Sequence, residues 1–146
     1  MRAVIQRVTQ AKVMVNEESV GAIKHGYVVL VAFAPEDGTS EMLYIAEKIV
    51  NLRLFDDEQG QMNLSLQDVS GGLLVVSQFT LYGDTRKGRR PSYSKAAPAE
   101  QALNLFEQFV ALLKQKDISV ECGRFQAYMQ VELTNDGPVT VIIDSI

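Results

Sequence analysis

The chain contains few of the residues that usually carry hydrolytic or metal chemistry. Its 146 residues include one cysteine, Cys122, and one histidine, His25. A single cysteine excludes an intrachain disulfide, and one cysteine with one histidine cannot supply the usual four ligands of a zinc site. The segment Asp56–Gly60 is acidic but lacks an EF-hand pattern, so we expect a solvated turn there. The sequence therefore predicts neither a metal nor a cofactor.

The shortage of imidazole also restricts the possible mechanisms. A Ser-His-Asp or Cys-His triad would have to use His25, and its place between Lys24 and Gly26 is typical of a turn. Cys122 follows Val120 and Glu121 in a pattern that favours a small strand residue over a nucleophile. Any hydrolytic chemistry must therefore work without the usual base, or use a group of the substrate.

The chain also lacks an excess of positive charge and a long apolar run. Its net charge of -4 argues against broad, non-specific binding of nucleic acid, but it allows a local basic patch. No apolar run approaches the ~20 residues that cross a bilayer. The N-terminus shows no apolar core followed by a small-residue cleavage site. We expect a cytoplasmic protein without a membrane anchor, which agrees with the lone cysteine.

Apolar periodicity predicts a mixed α/β fold for a single domain spanning residues 1–146. The segment 27–34 is almost continuously apolar, as is usual for a central strand with both faces covered. Two segments with apolar residues at helical spacing begin near Thr39 and Pro98. Thr39 or Ser40 can cap the first helix, whose buried face consists of Met42, Ile45, Ala46 and Ile49. Shorter strand patterns occupy the following segments: 1–8, 11–15, 19–23, 52–55, 62–66, 118–124, 129–134 and 139–143. We expect β-sheets in two layers with the helices packed on one side, and a tight turn at Asn135–Pro138.

The stretch Leu73–Asp84 combines a buried strand with a polar end. Four apolar residues, Leu73–Val76, are followed directly by Ser77-Gln78-Phe79-Thr80. A buried polar group without a partner costs about 1–3 kcal/mol, so these side chains must be hydrogen-bonded or functional. Two interpretations remain open from the pattern alone. Either the strand surfaces in an ordinary turn, or the polar residues form the floor of a site.

A basic segment comes directly after that polar end. Five of the 14 Lys and Arg residues lie within Thr85–Lys95. Glycine, proline and serine indicate that this segment is a loop. It is either a solvated surface or a contact for a phosphodiester backbone, which Arg86 and Lys87 would bind.

Two motifs in this sequence resemble the signatures of the D-aminoacyl-tRNA deacylases. They are VVSQFTL at Val75–Leu81 and NDGPVT at Asn135–Thr140. The resemblance extends along the chain through IQRVT at 5–9, MNLS at 62–65, RPSYSK at 90–95 and GRFQAYMQV at 123–131. The sequence differs at Leu81–Asp84, where other members often have small residues. The two motifs themselves are intact.

The resemblance implies a cytoplasmic homodimer with its active sites at the subunit interface. Such an enzyme hydrolyses the ester between a D-amino acid and the 3′-terminal adenosine of tRNA, and it also removes glycine. The resemblance implies a cis bond between Gly137 and Pro138, which would enter the pocket of the partner subunit and exclude L-amino acids. Asn135 belongs to this motif, and Arg7 would fix its orientation.

The same resemblance assigns roles to the other motif. Ser77 and Gln78 would bind the terminal adenosine or its ribose, and the backbone N–H groups of Phe79 and Thr80 would stabilise an oxyanion. The residues of the adenosine pocket would be Phe125, Ala127 and Met129, which the pattern alone would place in the core.

The mechanism and the class of protein each leave an alternative open. Thr80 could be the nucleophile, but it has no visible base. We favour assistance by the 2′-hydroxyl of the substrate ribose, with the protein supplying alignment. Since the same fold is an appended editing domain in some archaeal threonyl-tRNA synthetases, a tRNA-end binding module without catalysis is the alternative to an enzyme. A third alternative is a structural protein without a small ligand.

Overall fold

Eight strands and two helices follow one another along residues 1–145, the part of the chain that the computed structural model describes. The strands are β1 (Arg2–Val15), β2 (Glu18–Ile23), β3 (Gly26–Ala32), β4 (Phe55–Asp56), β5 (Met62–Leu64), β6 (Gly72–Ser77), β7 (Val120–Cys122) and β8 (Gln130–Asp144). The helices are α1 (Thr39–Asn51) and α2 (Ala99–Lys114), and a 3-10 turn covers Phe79–Tyr82. This is the mixed α/β fold that the sequence predicts.

The main sheet is mixed and has strand β1 as its longest member. Its order is β2-β1-β3-β6-β7, and β8 also pairs with β1. Strands β3, β6 and β7 run parallel to one another, whereas β1 pairs antiparallel with β2, β3 and β8. Every residue of β3 except Leu30 is buried, and so are Leu73–Val76 of β6. Parallel strands need cover on both faces, which explains these apolar runs.

The two faces of the sheet are covered by different elements. Helices α1 and α2 pack on one face, where the predicted helix stripe is fully buried: Met42, Ile45, Ala46 and Ile49. On the other face, Val28 and Leu74 pack against Val8 and Val13 of β1. A Cβ atom added at Gly21 of β2 would lie 2.8 Å from the Cys122 carbonyl oxygen of β7, so β2 crosses close above the sheet. The fold therefore has two β layers with the helices on one side, as predicted.

Strand β1 belongs to both layers, which corrects one prediction. Residues 1–8 and 11–15 were expected to form separate strands, but β1 is continuous. Its first half pairs with β3 and its second half with β2. Because β8 pairs along both halves, it holds the two layers together at this corner.

The tight turn predicted at Asn135–Pro138 is also wrong. Strand β8 runs through these residues, and it pairs with β1 in one direction from Gln130 to Asp144. The register shifts between Gln6 and Val8 of β1, and again between Val8 and Gln10. The segment is a bulge, in which extra residues leave the ladder without reversing the chain. Local turn residues cannot reveal this, because a distant strand sets the chain direction.

Other boundaries also differ from the predictions. The strand patterns at 62–66 and 118–124 shorten to β5 and β7, and the strand predicted at 52–55 is found only from its last residue onward, as β4. Helix α1 is capped by Gly38 rather than by Thr39 or Ser40. Glycine has no hydroxyl with which to cap a helix. Instead, the Gly38 N–H donates to the Glu41 carboxylate at 2.9 Å, which closes the first turn of the helix.

Candidate active-site cleft and the β8 bulge

A cleft of about 600 Å³ opens beyond the carboxyl ends of the parallel strands β6 and β7. Such a position is where open α/β sheets commonly bind ligands. The cleft brings together residues from both predicted groups: Ser77, Gln78, Phe79, Phe125, Ala127 and Met129. Ala102 of α2 and Tyr128 also line it. Two segments that lie nearly 50 residues apart in sequence thus form one site.

The polar end of β6 is anchored on one side and open on the other. The Gln78 N–H donates to the Val31 carbonyl at 2.7 Å, which fixes the end of the strand. The chain then enters the 3-10 turn, where the N–H groups of Phe79 and Thr80 come first and have no intrahelical acceptor. The Gln78 side-chain amide hydrogen-bonds the exposed Thr80 hydroxyl. Thr80 itself lies beside the cleft rather than among its lining residues.

Aromatic rings form the apolar part of the cleft. The Phe125 ring packs against Phe106 of α2 with centroids 6.0 Å apart. The Phe79 ring meets Tyr93 edge-on at 5.1 Å, which holds it in place although it is 55% exposed. The sequence interpretation missed Tyr128, which is 91% exposed at the cleft. The only sequence signal for it is its place within GRFQAYMQV, beside three residues that the resemblance assigns to the adenosine pocket.

Neither the histidine, as a base, nor the cysteine, as a nucleophile, lines the cleft. His25 precedes β3 at the end opposite Ser77, since Gly26 pairs with Gly72 whereas Val31 pairs with Ser77. Burial raises the pKa of the Cys122 thiol, which disfavours the thiolate that a nucleophile needs. Cys122 also lies outside the set of residues that line the cleft. The cleft can therefore bind, align and hydrogen-bond an ester, but it supplies no strong base.

The bulge of β8 is the second polar region and is held rigidly. Its Gly137–Pro138 peptide bond is cis, and both residues are exposed. The side-chain oxygen of Asn135 accepts a hydrogen bond from the Val139 N–H at 2.8 Å. Its side-chain nitrogen donates to the Val139 carbonyl at 3.1 Å. Arg7, 5% exposed, donates to the carbonyls of Asp136 at 2.8 Å and Leu54 at 2.7 Å. The buried guanidinium of Arg7 thus fixes the exposed bulge.

The bulge and the cleft lie apart within one chain. Arg7 is opposite Tyr27 on β3, whereas Ser77 is opposite Val31, four residues further along that strand. This offset is about 13 Å along the strands, and the three strand spacings from β8 through β1 and β3 to β6 add about 14 Å across them. No residue of the bulge lines the cleft. One copy of the chain therefore presents the two motifs as separate surfaces.

The basic segment begins at the rim of the cleft. Asp84 and Ser92 exchange backbone hydrogen bonds and close the segment into a loop. Tyr93, the next residue, packs its ring against Phe79 at the cleft. Arg86 donates to both carboxylate oxygens of Asp84 at 2.9 and 3.0 Å, and this contact holds the pKa of Asp84 well below its ordinary value. Lys87 is exposed and has no ion-pair partner within residues 1–145. The two residues predicted to contact tRNA therefore differ in what they offer.

Within residues 1–145, no group of three or more His, Cys, Asp or Glu side chains is placed to hold a metal ion. No helix in this part of the chain is both long and apolar enough to cross a membrane.

The α/β fold and the two motifs together are those of a deacylase, and comparison with known proteins agrees. The family model described as D-Tyr-tRNA(Tyr) deacylase matches residues 4–144, so the chain belongs to that family of hydrolases. A D-aminoacyl-tRNA deacylase of Thermosipho africanus (strain TCF52B) is 58% identical over 145 residues, which are 99% of this chain and 97% of that protein. The family and the enzyme class predicted from the motifs are thereby confirmed.

Two solved structures have the same fold. A c-Myc DNA Unwinding Element Binding Protein is similar with a TM-score of 0.94 and 41% identity, over 100% of this chain and 99% of that one. A structure described as a probable eukaryotic D-amino acid tRNA deacylase has a TM-score of 0.80 at 17% identity, over 98% of both chains. The second likeness concerns the fold alone.

Proposed function

We propose that this protein hydrolyses the ester between a D-amino acid and the 3′-terminal adenosine of tRNA, and also that of glycine. It acts in the cytoplasm as a homodimer, in which the bulge of one copy enters the cleft of the other. One observation carries this proposal. Both motifs are fully formed, yet they lie at different ends of the sheet, and the Gly137–Pro138 pair is exposed. A second copy related by symmetry would bring each bulge to the opposite cleft.

The bulge would select the substrate by excluding the L side chain. Its backbone is held by Asn135 and Arg7, so it cannot easily move aside. A Cβ atom on Gly137 would lie 2.7 Å from Val139 Cγ2 and 3.2 Å from Arg7 Nη2, which shows how little room surrounds it. A rigid backbone that clashes with one enantiomer rejects it more sharply than a missing contact does. Because the site reads the α-carbon, it accepts D-amino acids of many kinds.

The cleft would hold the adenosine and the reacting ester. The adenine would be surrounded by Phe125, Ala127 and Met129. The ribose of the same adenosine would be hydrogen-bonded by Ser77 and Gln78. The N–H groups of Phe79 and Thr80 stabilise the developing oxyanion. These assignments are supported by the shared cleft and by the open N–H groups at the start of the 3-10 turn.

The ribose 2′-hydroxyl would then position or activate the attacking water. We assign this role to the substrate because Thr80 has no base beside it. The Thr80 hydroxyl contacts the Gln78 side-chain amide, and an amide is not a base in either orientation. A threonine without a base is a poor nucleophile. Binding the ester and the 2′-hydroxyl in one cleft supplies rate through alignment instead.

The substrate assignment is tested with D-tyrosyl-tRNA, L-tyrosyl-tRNA and glycyl-tRNA. We expect hydrolysis of the first and third, with the L-ester cleaved at least about a hundredfold more slowly, as a steric clash requires. A protein that binds all three without ester loss would be a binding module, and one that binds none of them would be structural. Equal cleavage of both enantiomers would overturn the exclusion by the bulge.

The catalytic assignment is tested separately. The Thr80→Ala variant should keep activity within about threefold, because it leaves the backbone N–H in place. D-tyrosyl-tRNA ending in 2′-deoxyadenosine should be cleaved about 10²- to 10⁴-fold more slowly by the wild-type protein. Trapping an acyl ester on Thr80, detected by mass spectrometry, would contradict substrate assistance.

Binding of duplex DNA is not proposed. The name of one similar structure refers to a DNA element, but that name describes the other protein. With a net charge of -4 and five of its 14 Lys and Arg residues in a single loop, this sequence does not favour the broad positive charge that duplex binding needs.

A further inference from the structure

The cleft has an inner and an outer aromatic residue that come from the same connection between β7 and β8. Phe125 is half-buried and packs on α2, whereas Tyr128 is 91% exposed. The turn between them is set by the Ala127 N–H, which donates to the Arg124 carbonyl at 3.2 Å, and by a positive φ of 59° at Gln126. The backbone is therefore bent locally, so that a large aromatic side chain stands at the mouth of the cleft.

An exposed tyrosine in the lining of a cleft is available to a ligand, and its surroundings indicate which ligand it fits. The cleft continues from Phe125 to Tyr128 without a break in its lining. On another connection, Phe79 is kept at the rim by Tyr93, and Tyr93 leads back into the basic loop. Aromatic faces followed by positive charge are the combination that binds single-stranded nucleic acid: bases stack, and phosphates meet the cations.

We infer that Tyr128 is a base-stacking residue for the nucleotide that precedes the terminal adenosine of the tRNA acceptor end. The inference rests on the proposed function, because that function puts the terminal adenosine in the inner part of the cleft. The next nucleotide must leave through the mouth, where Tyr128 offers a flat ring. Its phosphate then passes toward the basic loop. Tyr128 is thus a substrate-binding residue that favours an oligonucleotide ester over a single nucleoside ester.

The test compares two D-tyrosyl esters, one of adenosine and one of the trinucleotide cytidyl-cytidyl-adenosine. We expect wild-type protein to prefer the trinucleotide in kcat/KM. In the Tyr128→Ala variant this preference should fall about tenfold, mainly through KM, because stacking on a base is lost. The Tyr128→Phe variant keeps a ring and should keep the preference. Leu43→Ala, an exposed apolar truncation on α1, is the matched control.

Each other outcome would overturn the inference. An unchanged preference in Tyr128→Ala would show that the ring does not contact the second nucleotide. An equal loss on both esters would assign Tyr128 to the shape of the inner cleft. If the variant instead changes the molecular mass measured by light scattering, with the preference intact, then Tyr128 contacts a second copy of the chain.

Failure of the proposed function can be recognised separately. If wild-type protein cleaves neither D-ester, binding of the uncharged trinucleotide and of adenosine is measured directly by calorimetry. Tighter binding of the trinucleotide that is lost in Tyr128→Ala would still support the stacking role. Equal binding of both molecules by the wild-type protein would remove it.

Discussion

The cleft and the β8 bulge are built on opposite principles. The cleft is concave, and its polar groups at the strand end are open: Gln78 bonds only an exposed hydroxyl through its side chain. The bulge is exposed at Gly137 and Pro138, and polar groups on both sides of that pair are used internally, by Asn135 and by a buried Arg7. A surface that binds many esters needs open donors, whereas a surface that rejects one enantiomer needs rigidity. The contrast explains why one chain carries the two halves in separate places.

The strongest test of this comparison separates the halves between two chains. Gly137→Val, which distorts the bulge, and Ala127→Trp, which fills the cleft, should each lower deacylation by at least about a hundredfold. Refolding the two variants together should restore roughly a quarter of wild-type activity, since half of the dimers are mixed and each has one intact site. Activity is measured on D-tyrosyl-tRNA.

The controls for that test are the separately refolded variants and a mixture that is never unfolded. Both should remain inactive while subunits do not exchange. If the refolded mixture also stays inactive, then bulge and cleft act within one chain, and the homodimer proposal fails.

The next largest effect concerns what makes the bulge rigid. Arg7→Met leaves the carbonyls of Asp136 and Leu54 without a donor, and we expect the free energy of unfolding to fall by about 3 kcal/mol. Arg2→Met is the matched control on the same strand. Its side chain is 37% exposed, compared with 6% for Arg7, so losing the exposed pair with Asp144 and the bond to the Leu81 carbonyl should cost only about 1 kcal/mol. Urea unfolding measures both variants, and similar midpoints would show that Arg7 is not the anchor.

A smaller effect should distinguish the two regions at the level of single amides. Asn135→Ala removes two hydrogen bonds to the Val139 backbone and should destabilise the fold by about 1.5 kcal/mol. Gln78→Ala removes one exposed contact with Thr80, and its unfolding free energy should change by less than about 0.5 kcal/mol. Thermal unfolding of both variants checks the order, and a larger loss for Gln78→Ala would reverse the comparison.

The sequence predicts the cleft better than the bulge, for a physical reason. The buried strand β6, its polar end and the four-residue stripe of α1 depend on local patterns, and all are found where periodicity puts them. The course of β8 depends on pairing with β1, so the turn-like residues Asn135–Pro138 mislead any local interpretation. Tyr128 was missed because exposure depends on the folded surroundings, and an aromatic residue between Ala127 and Met129 has no distinctive pattern of its own.

The smallest effect concerns the basic loop at the rim of the cleft. Arg86 already holds Asp84, so the pair adds no net charge toward a phosphate, whereas Lys87 is exposed without such a partner in the described part of the chain. Lys87→Ala should therefore reduce the slope of log K against log salt for tRNA by about 0.7–0.9, the value of one phosphate contact. The neutral replacement of the pair, Asp84→Asn with Arg86→Gln, should leave that slope unchanged, as should Lys24→Ala at the distant end of β3. If the slope instead falls when the Asp84–Arg86 pair is replaced and stays unchanged in Lys87→Ala, then Arg86 leaves Asp84 to bind the phosphate. The loop would in that case rearrange when tRNA binds.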